Sequence, residues 1–330
     1  MSDVMTRGAE PGAAMDAAGR ATVGRSSGDP RCAPVGRSSG DLRCAPVGRL
    51  RSLPRRLLLS LLGTALLAPG LHAQPAAPTP PCDKPVYLTF DTGHMGVAPL
   101  IVDTLKRFDA KATFFLAQEP TKDGGQTLDD KWAPWWKALA EQGHDFGSHT
   151  WYHDAWVADL PDGRFRFRRA AGEQVPQIVE MSAADYCDEL RQPARRFAEM
   201  TGRPMSMIFR APAGRTSAAL LAAARVCGFR HVGWAQPAGF LGDELPSDRF
   251  PNHALLEQAL RRIKPGDILM AHLGIWSRQD PWAPAVLEPL MQGLKDRGMC
   301  FAPLRDHPDY AAWMRRPPES LAMVRPRRMN

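Results

Sequence analysis

The sequence carries little excess charge outside its first 73 residues. The whole chain of 330 residues has 42 Lys and Arg against 35 Asp and Glu, which is a formal net charge of +7. Residues 1–73 hold ten Arg and five Asp or Glu, so +5 of that charge lies there and only +2 lies in the rest. A folded part so nearly neutral offers no basic surface for nucleic acid. We therefore expect no nucleic-acid partner.

The sequence also has no long apolar run near its basic leader. The stretch Leu57–Leu67 has 11 residues, whereas a membrane-spanning helix needs roughly 20. It follows four Arg within residues 49–56 and leads to Leu71–Ala73, which is the pattern of a signal peptide cleaved before Gln74. We expect a secreted or periplasmic protein, which contacts a membrane only if the signal stays uncleaved. The pair Arg55-Arg56 leaves a twin-arginine signal open as an alternative.

No apolar periodicity runs through the residues before this signal. Residues 23–34 are nearly repeated in residues 35–46, and a third copy begins at Val47. Two explanations stay open for residues 1–48: a disordered leader, or a segment that is not translated because synthesis starts near Val47. The organisation expected from there on is a signal peptide at 49–73, a linker at 74–84, a folded domain at 85–306 and a basic tail at 307–330.

From residue 85 onwards, short apolar runs alternate with helical patterns. In the first helical pattern, Val97, Leu100, Ile101, Leu105 and Phe108 recur at three- and four-residue spacing. This alternation predicts an α/β fold with a parallel sheet and right-handed crossovers, either closed as a barrel or open and doubly wound. Seven strands are predicted, at residues 86–90, 112–117, 144–148, 206–210, 230–234, 267–272 and 299–304.

Four cysteines remain after the predicted cleavage: Cys82, Cys187, Cys227 and Cys300. Their spacing does not resemble a zinc site, whereas an even number in an oxidising compartment permits disulfides in three connectivities. We favour Cys82–Cys300, because closure of a barrel would bring the first and last strands together. Buried free thiols are the alternative.

Polar residues stand where four of the predicted strands end. Asp91 follows the first strand, His149 and His153 follow the third, Arg210 ends the fourth and His272 ends the sixth. The carboxyl ends of parallel strands are where α/β enzymes build their sites. Two imidazoles four residues apart suit a metal, and a strand-end Arg suits a carboxylate. Taken singly, each residue also has a plain explanation as a helix cap, a chance pair, a surface ion pair or a core His.

Together, in this order and placement, the motifs resemble those of the polysaccharide deacetylase family, carbohydrate esterase family four. The resemblance covers about residues 85–306, which is therefore the predicted catalytic domain. It implies an irregular (β/α)7-type barrel of parallel strands with flanking helices. It also implies a hydrolase that uses a divalent metal to remove N- or O-acetyl groups from chitin-like polymers, peptidoglycan or xylan.

The family's site residues can be carried over to matching positions of this sequence. The resemblance implies that Asp91 is the catalytic base, that Arg210 orients it and that His272 is the general acid. It also implies that His149 and His153 are two of three metal ligands, with zinc as the favoured metal. Such a metal polarises the carbonyl and lowers the pKa of a water.

The third metal ligand departs from the family pattern. The family usually has a second carboxylate directly after the base, and this sequence has Thr92 there. Three alternatives stay open: His94 is the third ligand, Thr92 binds through a water, or the metal is held loosely. We take His94 as the candidate ligand.

Two further positions differ from the family. The residue after Arg-x-Pro is usually aromatic and here is Ala213, near which backbone N–H groups are expected to receive the oxyanion. The Asp that usually pairs with the general acid is missing after Trp234, and Asp243 or Glu244 in the following loop could replace it.

The predicted function is removal of N-acetyl groups from an envelope or extracellular glycan, peptidoglycan or a related N-acetylhexosamine polymer. Two long connections, 118–130 and 154–182, leave the predicted site end. Within the second, residues 164–169 alternate Arg with Phe; this indicates either a surface for an anionic polymer or, as we favour, a solvated edge strand. Five Trp near the site suit stacking on sugars, although we expect at least half of them to pack in the core. These are Trp151, Trp156, Trp234, Trp276 and Trp282.

Two rival functions stay open. One is a hydrolase of the same fold that acts on a small non-sugar amide in a closed pocket. The other is a catalytically silent glycan-binding protein, which the Thr92 departure could indicate. Retention of Asp91, His149, His153, Arg210 and His272 together argues against the second.

Overall fold

Buried strands of mostly apolar sequence form the centre of the domain. The structure, a computed structural model, describes residues 82–173 and 175–316; the predicted leader and signal peptide lie outside them. The strands are β1 (Pro85–Asp91), β2 (Thr113–Leu116), β3 (Asp145–Ser148), β4 (Asp154–Asp159), β5 (Phe165–Arg169), β6 (Gln177–Met181), β7 (Ile208–Phe209), β8 (Arg230–His231), β9 (Ile268–His272) and β10 (Cys300–Phe301).

Seven of the described strands form one parallel sheet in the order β10-β1-β2-β3-β7-β8, with β9 also paired to β1. These are the seven strands that the sequence predicts. Residues 86–91 of β1 are all buried, as expected of a parallel strand that is covered on both faces. Beyond β8, the backbone N–H of Ala235 donates to Ile268 O of β9 at 3.0 Å, and Met270 N donates to Gly239 O at 2.7 Å. The α/β architecture with parallel strands and flanking helices is confirmed.

The first helix follows β1 at the position that the periodicity of residues 97–108 predicts. In the first helix the buried face consists of Ala98, Ile101, Thr104 and Leu105. The longest described helix begins at a capping box, in which the Ser182 side chain accepts a hydrogen bond from the backbone of residue 185. The helices are α1 (Ala98–Arg107), α2 (Ala133–Glu141), α3 (Ala183–Thr201), α4 (Ala218–Val226), α5 (Asn252–Arg262), α6 (Leu287–Asp296) and α7 (Ala311–Met314). None of those within the described residues has the length and apolar character needed to span a bilayer.

The segment 154–182 is not a plain connection, because β4, β5 and β6 form a three-stranded antiparallel sheet there. The prediction that residues 164–169 form an edge strand is wrong, since β5 is the central strand. Its Phe side chains are buried, whereas Arg166 pairs with Glu180 at 2.7 Å and Arg169 pairs with Asp154 at 2.9 Å. Alternation reveals the two faces of a strand but not its neighbours, so the pattern could not distinguish an edge from a centre.

The folded domain continues beyond the predicted boundary at residue 306. Helix α7 follows it, and the indole Nε1 of Trp313 donates to Met207 O at 2.8 Å. Tyr310, Trp313 and Met314 pack against a core cluster. The predicted basic tail is therefore partly folded up to Arg316, and its remainder lies outside the described residues.

Two disulfides tie distant segments of the domain. Cys82–Cys300 joins the residues before β1 to β10, which confirms the favoured pairing. Cys187–Cys227 joins α3 to the end of α4.

Loss of the first disulfide should destabilise the protein more than loss of the second. The two bonds span 218 and 40 residues of sequence, and loop-closure entropy makes the longer one more stabilising by about 1.5 kcal/mol. Urea unfolding of Cys82→Ser/Cys300→Ser, compared with Cys187→Ser/Cys227→Ser as the matched control, measures this difference. An equal or greater loss in the control would contradict the entropic explanation.

Candidate active site

The strand register brings the predicted site residues to one end of the sheet. Asp91 is paired directly with His272 across β1 and β9. On the other side of β1, β2 pairs with β3, and Ser148 of β3 pairs with Phe209 of β7. The residues that follow these strand ends, including His149 and Arg210, therefore converge.

Arg210 is a fully buried cation that holds Asp91. Its Nη1 donates to Asp91 Oδ1 at 2.8 Å and its Nη2 donates to Thr89 Oγ1 at 2.7 Å. Further hydrogen bonds run to the carbonyls of Val232, at 3.2 Å, and Gly233, at 3.3 Å. Burial raises the pKa of Asp91, but Arg210, with smaller contributions from His149 and His272, outweighs it, so that the pKa lies below the usual value. Asp91 is consequently an ionised carboxylate in a buried position.

His272 is held by the loop carboxylate that the sequence left open. Its Nδ1 lies 3.1 Å from Asp243 Oδ1, and its backbone N–H donates to Asp243 Oδ2 at 2.7 Å. Burial lowers the pKa of His272, but Asp243, together with Asp91 and Glu244, more than compensates and the pKa rises to about 9. Glu244 is more distant, with 3.9 Å between its Oε2 and His272 Nε2. Asp243 therefore occupies the role of the missing partner, and His272 is protonated at neutral pH.

His149 and His153 lie together, with ring centroids 4.9 Å apart. The Nδ1–H of His149 donates to Arg210 O at 2.9 Å, and burial lowers the pKa of this imidazole to about 4. His149 is thus neutral, and its unprotonated Nε2 faces Asp91 Oδ2 at 3.6 Å. His153 has the left-handed backbone φ of 53° and a buried Nδ1 without a hydrogen-bond partner. Both side chains present nitrogen lone pairs that the described residues do not use.

A single cavity of about 170 Å³ is lined by Asp91, His272 and the two imidazoles. Ala213 enters it from a turn in which its φ is 55°. The lining residues are Asp91, His149, His153, Ala213, Trp234, Glu244, Met270 and His272. A buried ionised carboxylate and a protonated imidazole on one cavity are a pair suited to general base and general acid catalysis.

Comparison with known proteins agrees with this geometry. A model of the polysaccharide deacetylase family matches residues 79–232, which include Asp91, His149, His153 and Arg210. Over these residues the chain matches the polysaccharide deacetylase family. His272 lies beyond the matched residues.

Named relatives of the family cover most of the domain. The chain is 24% identical over 225 residues to the peptidoglycan-N-acetylmuramic acid deacetylase PdaA of Bacillus subtilis, covering 68% of this chain and 71% of that protein. It is 28% identical over 234 residues to the chitooligosaccharide deacetylase of Azorhizobium caulinodans, covering 66% and 92%. A family 4 acetyl xylan esterase from Clostridium thermocellum, solved with a cobalt ion, has a TM-score of 0.51 at 20% identity, covering 69% of this chain and 91% of that one. This structural likeness shows the shared fold.

The donor atoms of this site fit a divalent metal in their chemistry. Within residues 82–173 and 175–316, no three His, Cys, Asp or Glu side chains stand together as a complete metal-binding group. His149 nevertheless has the arrangement typical of a metal ligand, because a carbonyl receives its Nδ1–H while Nε2 carries the lone pair. The unpartnered Nδ1 of His153 adds a second nitrogen to the donor set. Two such imidazoles are characteristic of zinc sites.

The structure does not bring His94 to this pair. Its Nδ1 accepts a hydrogen bond from Gly96 N at 2.9 Å, and its ring meets Trp276 edge-on at a centroid distance of 5.0 Å. It lines a neighbouring cavity with His272 and Lys122, and not the cavity of the two imidazoles. A local turn therefore uses the nitrogen that a metal would need.

Glu119 is the site residue that the sequence analysis missed. Its Oε2 accepts hydrogen bonds from Thr92 Oγ1 at 2.5 Å and from Gly93 N at 2.8 Å. Burial raises its pKa, but His153, the Thr92 hydroxyl and His149 lower it below the usual value. Glu119 belongs to the segment 118–130, which has no motif of its own. The available signal was its position three residues after the end of β2, beside the other strand-end residues.

Replacement of Asp243 should lower the pKa of His272. In Asp243→Asn we expect a pKa well below about 9, because burial is then opposed only by the weaker effects of Asp91 and Glu244. In the parent protein, the stabilisation that comes from the raised pKa is fully present below about pH 6.5 and is lost as the pH rises through about 9. In the variant this loss should be smaller.

Imidazole NMR titration of His272 measures the pKa, and urea unfolding at several pH values measures the stability. Asp248→Asn, on the same loop, is the matched control. An unchanged His272 pKa in Asp243→Asn would contradict the assignment of Asp243.

Proposed function

We propose that this protein is a secreted, divalent-metal-dependent hydrolase that removes N-acetyl groups from peptidoglycan or a related N-acetylhexosamine polymer. The proposal rests on one cavity, which is lined by the ionised Asp91 and the protonated His272. The imidazoles of His149 and His153 line the same cavity. The peptidoglycan and chitooligosaccharide deacetylases among its relatives support an N-acetylated glycan as substrate. Two disulfides and the predicted signal peptide support an oxidising, extracytoplasmic compartment.

The residues of the cavity provide both proton transfers of amide hydrolysis. The oxygen of a water bonds to the acetyl carbon while Asp91 accepts a proton from that water. The carbon–nitrogen bond then breaks, and His272 donates its Nε2 proton to the departing nitrogen, giving acetate and a free amine. Arg210 keeps Asp91 ionised and fixes its Oδ1, which leaves Oδ2 on the side of His149. Asp243 keeps His272 protonated and orients its ring.

A cation held by His149 and His153 would polarise the acetyl carbonyl and make water easier to deprotonate. We favour zinc, because neutral imidazoles with a carboxylate are its usual protein ligands at catalytic sites.

An exposed aromatic side chain supports a glycan over a small amide. Trp276 is 65% exposed and lies against His94, which lines the neighbouring cavity that His272 also lines. A flat exposed ring suits stacking on a sugar face. By contrast Trp282 is buried, and Trp151 and Trp156 pack against the core clusters, as expected for at least half of the five Trp.

The decisive experiment is acetate release by metal-stripped protein with zinc, cobalt or no metal added back. We expect metal-dependent release from peptidoglycan and N-acetylglucosamine oligomers, and a loss of about 100-fold or more in Asp91→Asn and in His149→Ala. His253→Ala, an exposed His on α5, is the matched control and should keep full activity.

The substrate panel separates the rival functions. Release only from small amides would assign the site to a non-sugar substrate. Retained binding to peptidoglycan without release at any metal concentration would instead identify a silent binding protein and contradict the proposal.

A further inference from the structure

We propose that Glu119 is the third protein ligand of the metal site, supplying the carboxylate that Thr92 lacks. This inference rests on the proposed metal-dependent function and concerns which residues of this chain complete the site. It replaces His94, which the structure engages elsewhere.

Backbone contacts bring Glu119 to the two imidazoles. Strand β2 lies between β1 and β3, so the chain that leaves it passes between Asp91 and His149. Next to Glu119, the backbone N–H of Gln118 donates to Trp151 O at 2.8 Å, which anchors this segment to the turn that carries His153. The segment that carries Glu119 is thereby joined to the segment that carries His149 and His153.

The carboxylate of Glu119 contacts the hydroxyl of Thr92. Thr92 is fully buried and accepts a hydrogen bond from Ala117 N at 3.1 Å, which leaves its hydroxyl proton for Glu119 Oε2. An Asp at position 92 would place a negative charge at this point, and Glu119 supplies that charge from the loop that follows β2. Thr92 and the Gly93 N–H orient the carboxylate as outer partners orient a metal ligand.

One oxygen of Glu119 is held and the other is available. Within the described part of the chain, the Glu119 carboxylate accepts two hydrogen bonds, and both are accepted by Oε2. Among the same residues, Glu119 forms no ion pair with a Lys, an Arg or either imidazole. A partly buried carboxylate without a basic partner, beside two nitrogen lone pairs, is stabilised by a cation. Binding would draw the free Oε1 towards His149 and His153 and give two imidazoles and one Glu, a known composition of zinc sites.

Zinc binding by the metal-stripped full chain tests this assignment without relying on activity. Isothermal titration should show at least about 100-fold weaker zinc binding in Glu119→Gln than in the parent protein, since a ligand contributes at least as much as its outer partners. Asp123→Asn removes an exposed carboxylate from the same loop and should leave affinity unchanged. Absorption spectra of the cobalt-loaded proteins report the loss of a ligand independently.

A swap variant keeps the test decisive even if Glu119→Gln folds poorly. Thr92→Asp/Glu119→Gln moves the carboxylate back to position 92 and should regain at least about tenfold of the lost affinity. Thermal unfolding of each metal-free variant verifies that it is folded.

The results distinguish this inference from the proposed function. Parent-like zinc affinity and cobalt spectrum in Glu119→Gln would overturn the assignment, even if acetate release proved metal-dependent. Absence of zinc binding by the parent protein would overturn it as well. Tight zinc binding that depends on Glu119 would support it, even if no glycan released acetate.

Discussion

The buried guanidinium of Arg210 is the interaction on which the site depends. A cation removed from water is tolerated only when its donors are paired, and Arg210 meets this condition with Asp91, Thr89 and the carbonyls of Val232 and Gly233. These partners come from β1 and from the segment after β8, so one side chain joins strand ends across the sheet. The same contacts keep Asp91 ionised. The backbone carbonyl of Arg210 selects the tautomer of His149.

Asp91 and His272 are both charged in spite of burial. Desolvation favours neutral Asp91 and neutral His272, yet the pKa of the first is lowered and that of the second rises to about 9. In each case a fixed counterion, Arg210 or Asp243, makes the largest of the contributions that together outweigh the desolvation. The two groups are paired across β1 and β9, so their opposite charges also support one another. The parallel register thus determines electrostatics as well as position.

The sequence predicts those parts of the fold and site that depend on local patterns. Seven parallel strands are recognisable because each is a short apolar run before a helical pattern, and Asp91, Arg210 and His272 are recognisable because they end such runs. Residues 164–169 show why other features are not predictable: alternation fixes which side chains are buried, but the neighbours of β5 come from the folded hairpins. Glu119 is missed for a similar reason, since its role depends on which strand lies beside β1.

Thr92 and Glu119 are best understood as one unit. Glu119 is the longer carboxylate and comes from a loop, so it needs a donor to orient it, and the Thr92 hydroxyl is that donor. An Asp at position 92 together with Glu119 would place two carboxylates within contact, and their repulsion would raise the pKa of one of them. The hydroxyl of Thr92 avoids this repulsion and donates a hydrogen bond to Glu119 instead. On this argument the departure at position 92 relocates the negative charge of the site instead of removing it.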